Sequence, residues 1–280
     1  MTLNDIYHAI DPVALSLGPL QIRWYGLAYV AGFICAFLVI AKLSQRWKIR
    51  IDDDAFFTVV FCVIFGVILG GRLGYVLVYG DGYYLQHPEK ILAFNEGGMS
   101  FHGGLVGVII GGVIAAKITK IPFLTLADMG VVGVPIGLFF GRCANFINGE
   151  LWGAPTDMPW GVVFGGTAGT MPRHPSQLYE ALLEGVVLFI ILFALSRKTP
   201  ARPRGTFFGT FLLFYGLFRF TIEFIRQPDA QIGYLLGTHW FTMGQALSIP
   251  LMVAGVAFLI YAWKTKKPQM GLPDSEISQS

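Results

Sequence analysis

The sequence predicts an all-α integral membrane protein with seven transmembrane helices. Its N-terminus lies outside, its C-terminus is cytoplasmic, and the longer loops form a small outer cap. Three observations predict this. Of the 280 residues, 54% are hydrophobic and only 13% charged, whereas a soluble domain carries about 25% charged residues. Mean hydropathy is +0.61, and the apolar material runs from end to end, so 1–280 reads as a single polytopic membrane domain. Lysine and arginine also alternate in density from loop to loop, the pattern that sets membrane orientation.

A span needs about 20 mostly apolar residues, and in lipid it is helical because its backbone groups are satisfied only internally. Seven segments qualify: roughly Trp24–Leu43, Ala55–Tyr79, Met99–Ala116, Phe123–Gly141, Tyr179–Ser196, Gly205–Arg226 and Phe241–Trp263. Thirteen of the twenty basic residues follow the first, third, fifth and seventh segments, from Lys42 to Arg50, at Lys117 and Lys120, from Arg197 to Arg204 and from Lys264 to Lys267. The opposite side holds Arg23, Lys90 and Arg173. The basic side is cytoplasmic.

Composition excludes other classes. No basic patch interleaved with aromatics points to nucleic acid. Cys35, Cys62 and Cys143 stand at unrelated spacings in apolar surroundings and read as packing residues. No basic region precedes the first apolar run, so a cleaved signal peptide is not expected. The outer loop at about 142–178 is long enough to form the cap and to dock a partner, and the tail at about 268–280 reads as disordered.

Glycines recur every fourth residue at Gly66, Gly70 and Gly74, at Gly103, Gly107 and Gly111, and at Gly133, Gly137 and Gly141. Small residues at that spacing let helices approach closely. Pro135 is expected to kink its helix.

Charge inside a span is costly and marks function. Arg72, His102, Arg142, Arg219 and Arg226 all fall toward the outer ends of spans. Separate snorkelling to the headgroups fits Arg142 and Arg226. It fits Arg72 and Arg219 less well, because apolar residues follow each, and the pattern points to a shared site. Tyr215, Arg219, Glu223 and Arg226 share one helical face. Two arginines to one glutamate leave cation to spare, which suits a phosphate. His102, beside Gly103 and Gly104, suits a proton acceptor near neutral pH. His174 reads as a second base or, more simply, a structural group at a helix start. Glu180 and Glu184 lie one turn apart. Neither a metal site nor a cofactor is expected: there is no HExxH zinc pair, no GxSxG elbow and no Cys/His pairing.

The segment Gly141-Arg142-Cys143-Ala144-Asn145-Phe146-Ile147-Asn148-Gly149-Glu150-Leu151-Trp152-Gly153 resembles the signature of the bacterial prolipoprotein diacylglyceryl transferase family. Five other stretches resemble that family in the same order: 23–27, 70–75, 99–104, 173–180 and Tyr215 through Asp229. The resemblance implies transfer of the diacylglyceryl group of phosphatidylglycerol to the lipobox cysteine of a prolipoprotein signal peptide. The product is a thioether, and glycerol phosphate leaves. It implies an enzyme embedded in the lipid bilayer of the bacterial inner membrane, with its site toward the outer leaflet. The functional positions it carries over are Tyr25, His102, Arg142, Asn145, Glu150, Gly153, Arg219 and Glu223. On this reading His102, Arg142 and Arg219 are catalytic. Arg142 binds the lipid phosphate, and Tyr25, Asn145, Glu150, Gly153, Tyr215, Glu223 and Arg226 complete the substrate site. Glu150 and Glu223 are expected to hold the arginines, and Gly153 to leave space for lipid or peptide. Cys143 departs from the family's usual residue and reads as a small apolar substitute. A lipid or anion transporter would explain the inward arginines but not the Asn-Glu-Trp-Gly cluster. A different lipid-headgroup transferase is the nearer rival.

Overall fold

The computed structural model describes residues 2–18, 20–80, 82–94, 97–227 and 233–273; beyond these, the side chains of Leu20, Tyr79, Phe101 and His102 also lie outside the described residues. The expectations for the His102 side chain, for Asp229 and for the end of the tail fall there.

A capping box between Thr2 and Asp5 starts α1 (Leu3–Ala9). A short antiparallel hairpin follows, β1 (Val13–Leu17) with β2 (Leu20–Arg23). Then come α2 (Trp24–Trp47), α3 (Asp53–Tyr79), the short α4 (Tyr83–Gln86), α5 (Phe101–Thr119) and α6 (Phe123–Asn148). The next rod is α7 (Ser176–Glu180), a π-helical stretch Ala181–Val187 and α8 (Leu188–Ser196). α9 (Thr206–Ile222) and α10 (Met243–Thr265) complete the order. Among the described residues, five helices are long and apolar enough to cross a membrane: Trp24–Trp47, Asp53–Val78, Phe123–Asn148, Ser176–Ser196 and Met243–Thr265. The apolar helices Gly103–Thr119 and Thr206–Ile222 are shorter. This is the build of a multi-pass membrane protein.

α6 runs past Gly141 to Asn148, so Arg142 and Asn145 lie on a helix. The physical stop is Gly149, whose φ of +67° is the left-handed conformation glycine supplies after a helix. α9 stops short of Arg226, and Glu223 is its C-cap. The hairpin is an element that a count of spans does not anticipate.

The described chain divides into two compact units, Ser44–Ala127 with Gln269–Ser280, and Met1–Leu43 with Asp128–Pro268. In the first, Asp52 caps α3 by accepting from the Ala55 N–H at 2.7 Å, and Ser100 caps α5. α3 packs on α5 glycine against glycine. A Cβ added to Gly74 would stand 2.6 Å from the Gly103 Cα, and one on Gly70 would stand 2.8 Å from the Gly107 Cα. The backbones touch because neither helix has side chains there.

Arg72 is held by backbone within its own unit. It is 1% exposed, and backbone carbonyls take up its donors. Nε donates to Ile91 at 2.8 Å, Nη2 to Lys90 at 2.7 Å, and Nη1 to Gly97 and Gly98. A buried guanidinium needs acceptors, and the loop following α4 supplies them. Part of the C-terminal tail is also held, with the Leu272 N–H on the Arg50 carbonyl at 3.0 Å and the Met270 N–H on Thr125 Oγ1 at 3.4 Å.

In the other unit, α2 approaches α6 where a Cβ on Gly32 would meet the Gly137 Cα at 3.4 Å. Asp128, fully buried, accepts from the Gly205 and Phe208 N–H groups, each at 2.7 Å. A carboxylate at a helix N-terminus is favoured by its free N–H groups and dipole, so Asp128 fixes where α9 begins. Between α6 and α7 the chain folds over a small core of Phe146, Val162, Phe164 and Ala168. Tyr7 of α1 packs edge-on against Phe146 and Phe164, and Asn4 accepts from the Val163 N–H at 2.9 Å.

Gly74→Ala places a methyl group against backbone that cannot rotate away. The expected cost is about 1–3 kcal/mol, read as a lowered thermal unfolding midpoint of the purified protein in detergent. An unchanged midpoint would show that α3 and α5 separate freely.

Candidate active site

Apolar helices place charge at few positions, and three of them bring it together. Arg142 comes from α6, Glu180 and Glu184 from the α7 rod, and Arg219 from α9. Glu180 is fully buried and takes both arginines. Its Oε2 lies 2.6 Å from Arg142 Nε and 3.3 Å from Arg219 Nη1. Arg219 Nη2 reaches Glu223 Oε1 at 2.5 Å, and Arg226 Nη1 meets the same oxygen at 3.3 Å. Cation and anion alternate from Arg142 through Glu180, Arg219 and Glu223 to Arg226. The Arg142 and Arg219 side chains keep 18% and 13% exposure, against 0% for Glu180. The carboxylate is therefore sealed, while each arginine side chain keeps part of its surface exposed.

The arginines of the α9 stripe draw on acid from a neighbouring rod as well as on Glu223. Counting only α9 omits Glu180 and Glu184, and burial brings carboxylates to buried arginines because an unpaired charge costs several kcal/mol. Glu184, also fully buried, stands at the margin, 3.9 Å from Arg142 Nη2.

Glu223 is set by α10 as well. Thr242 Oγ1 donates to its Oε2 at 2.6 Å, and Thr242 forms a capping box with Gln245. Thr242 and Gln245 are 3% and 0% exposed. A Cβ on Gly244 would stand 2.6 Å from Glu223 Oε1. Gly244 is the space the carboxylate occupies at the α10 N-terminus. None of these three residues stands out in sequence; the Thr-x-x-Gln capping pattern is the one available signal.

Glu150 does not hold an arginine. Its Oε1 accepts from Asn145 Nδ2 at 2.9 Å and from Asn148 Nδ2 at 3.4 Å. Asn145 also gives its carbonyl to the Glu150 N–H at 3.0 Å. Because α6 continues, Asn145 and Asn148 fall one turn apart and face the carboxylate that follows Gly149. Gln177, buried, donates to the Glu150 carbonyl at 2.6 Å, fastening this turn to α7. The Tyr25 hydroxyl pairs with Tyr29 at 3.1 Å, and Glu150 and Arg142 lie within electrostatic reach of Tyr25. Tyr215 stacks on Phe211 with centroids 5.5 Å apart.

Gly153 leaves no free space. A Cβ there would lie 2.7 Å from the Ile225 carbonyl and 2.8 Å from His174 Cβ. The protein's own backbone fills the position: the Gly153 N–H donates to the His174 carbonyl at 2.9 Å, and the Ala154 N–H to Ile225 at 3.0 Å. Gly153 pairs across to Arg226 as a β-bridge. Its role is close approach of three chain segments behind the charge cluster. Arg173 locks the same corner, lying over the Trp152 ring at 4.1 Å and donating to the Ala168 carbonyl at 2.8 Å.

His174 caps no helix; its Nδ1 meets the Tyr179 hydroxyl at 3.2 Å, and Trp160 Nε1 donates to that hydroxyl at 2.6 Å. These three residues rim an apolar cavity of about 350 Å³ whose other walls include Leu183, Thr221 and Ile222. The cavity lies on the α7–α9 side, next in sequence to Glu180, Glu184 and Glu223. His102 belongs to the unit containing α3 and α5, in the first turn of α5 behind the Ser100 cap.

Glu180→Gln leaves two guanidiniums sharing a neutral amide. The expected loss of stability is about 3–5 kcal/mol, read as thermal unfolding in detergent. A loss below about 1 kcal/mol would assign the pair to the weak, solvent-screened class. His174 gives a pH prediction. Burial pushes its imidazole below the ordinary value, so the unfolded chain binds that proton more tightly than the fold does. The contribution is fully present above about pH 6.5 and is lost as pH falls from there through the lower value of the folded state. The unfolding midpoint is expected to drop less between about pH 7 and about pH 5.5 in His174→Gln than in wild type. Equal drops would remove His174 as a source of acid sensitivity.

The family model described as prolipoprotein diacylglyceryl transferase matches residues 12–261. A relative from Geobacter sulfurreducens is 52% identical over 92% of this chain and 97% of its own. One from Nitratidesulfovibrio vulgaris is 49% identical over 89% of this chain and 94% of its own. One from Rhodopseudomonas palustris is 46% identical over 97% of each. All three are named phosphatidylglycerol–prolipoprotein diacylglyceryl transferase. An arginine–glutamate cluster set in apolar helices, a family match along most of the length and relatives close to half identical lead to one conclusion: the chain belongs to the prolipoprotein diacylglyceryl transferase family.

Proposed function

We propose that this protein transfers the diacylglyceryl group of phosphatidylglycerol to the lipobox cysteine thiol of prolipoproteins, the first step of bacterial lipoprotein maturation. The observation that carries the site assignment is the pair of arginines, Arg142 and Arg219, held at one sealed carboxylate with both side chains partly exposed. That geometry suits a phosphodiester, which accepts paired N–H bonds from arginine.

The reaction replaces a C–O bond to phosphate with a C–S bond. It needs a thiolate, and a free thiol with a pKa of about 8.5 is mostly protonated at neutral pH. His102 takes the thiol proton. Arg142 and Arg219 bind the phosphate and neutralise the charge that grows as glycerol phosphate departs. Glu180 fixes the spacing of the two guanidiniums, and Glu223, gripped by Thr242, orients Arg219 and Arg226. Asn145, Glu150 and Tyr25 form a hydrogen-bonding wall beside Arg142, and Tyr215 lies on the α9 face below Arg219. The apolar cavity beside Tyr179 and Ile222 takes acyl chain. The lipid and the apolar helix of the signal peptide arrive sideways from the bilayer.

In this reading α5 and α9 are the two further spans, making seven. α9 covers about 26 Å at 1.5 Å per residue, short of a hydrocarbon core of about 30 Å. Its charged end therefore lies inside the membrane boundary, where a lipid phosphate can reach it. The lysine and arginine distribution supports an N-terminus outside, a C-terminus in the cytoplasm and a site toward the outer leaflet of the inner membrane.

Mass spectrometry of a lipobox peptide incubated with phosphatidylglycerol and the purified protein is expected to show a diacylglyceryl adduct on the cysteine. Arg142→Ala is expected to abolish the adduct while the protein still inserts. Near wild-type turnover in that variant would end the phosphate-clamp role.

A further inference from the structure

The charge cluster contains one acid that the reaction scheme does not use. Glu184 is fully buried, and among the described residues neither of its oxygens receives a hydrogen bond. Its nearest cation is Arg142 Nη2 at 3.9 Å. It stands within the π-helical stretch of the rod, a local widening found often at functional sites. Gly185 brings that stretch against α6; a Cβ there would lie 3.0 Å from the Phe139 Cα. The groups that face Glu184 are Glu180 on its own rod, Arg142 on α6, and Arg219, Tyr215 and Glu223 on α9 or its end.

The directly paired groups alternate from Arg142 through Glu180, Arg219 and Glu223 to Arg226, three cations and two anions. That set carries one positive charge in excess. Ionised Glu184 cancels it from within, and a phosphodiester carrying one negative charge cancels it from outside. With both present the buried cluster would hold a surplus anion, which low-dielectric surroundings penalise. The two anions therefore compete for one charge vacancy although they do not occupy the same position.

We propose that Glu184 is the proton-carrying residue of headgroup binding: it is neutral when the phosphodiester is bound, so binding of the anionic lipid takes up one proton at Glu184. This rests on the reading that Arg142 and Arg219 hold the headgroup. Linkage fixes the sign. Where free Glu184 is ionised, raising the pH opposes binding, by up to about tenfold in apparent affinity per pH unit for one proton. Removal of the thiol proton has the opposite sign and appears in kcat. The two effects separate as a KM-against-kcat split.

The test uses the full-length enzyme in detergent micelles with saturating lipobox peptide. KM for phosphatidylglycerol and kcat are measured from about pH 6 to about pH 9, a range in which a phosphodiester keeps its single charge. Wild-type KM is expected to rise with pH by up to about tenfold per unit. Glu184→Gln, neutral throughout, is expected to give a flat KM while keeping the pH dependence of kcat, and Glu184→Asp to restore the rise. A wild-type KM that does not move with pH, or a Glu184→Gln variant that keeps the wild-type slope, overturns the proposal. If Glu184→Gln does not fold, proton uptake by the wild-type protein on adding phosphatidylglycerol in weak buffer decides. Uptake approaching one proton per lipid supports the proposal, and none across the range overturns it. Arg219→Lys is measured in parallel. An unchanged KM there would show that the headgroup binds elsewhere, a failure of the underlying reading distinct from a failure of the Glu184 assignment.

Discussion

Everything at the site depends on one buried carboxylate holding two guanidiniums from different helices. Removing Glu180 from water costs several kcal/mol unless its charge is met at close range, and Arg142 and Arg219 meet it. The constraint works in both directions. Two arginines brought this close would repel each other without an anion between them, and Glu180 is that anion. Glu180 is completely buried, whereas both arginine side chains keep partial exposure.

The surrounding structure makes that arrangement rigid. Asp128 sets the start of α9 by occupying the N–H groups of its first turn. The Thr242 hydroxyl holds the carboxylate at the other end of α9. Arg219 thus lies on a helix fixed at both ends. Behind it, the backbone contacts at Gly153 tie the turn after α6 to the segments around His174 and Ile225, and no side chain fits between them. Close glycine contacts recur between α3 and α5. In lipid, where apolar surface has little reason to leave one apolar neighbour for another, such contacts supply much of the packing energy.

The sequence reveals what composition and local pattern can encode. Long apolar runs, the basic loops, the glycine spacing and the Arg219–Glu223 pair on one helical face are all legible, because each depends on residues near in sequence. The partner of Arg142 is not. Glu150 is eight residues away and sits in the same motif, whereas the carboxylate that meets Arg142 comes from another rod. Arg72 shows the same limit: its position in the span resembles that of Arg219, yet carbonyls from 90–98 surround it. Nothing local distinguishes an arginine that will bind a carboxylate from one that will bind a loop. Gly153 was legible as indispensable but not as filled, since the strands that press on it come from residues 174 and 225.

The hold of α10 on Glu223 has a consequence for biogenesis. α10 leaves the ribosome after α6, α7 and α9, and Thr242, Gly244 and Gln245 form its capped start. A nascent chain that has inserted only through α9 carries Arg219 and Arg226 beside an acid with no hydroxyl to orient it. The charge cluster is therefore completed only by α10, and a translation product truncated before it would lack the Thr242 contact to Glu223.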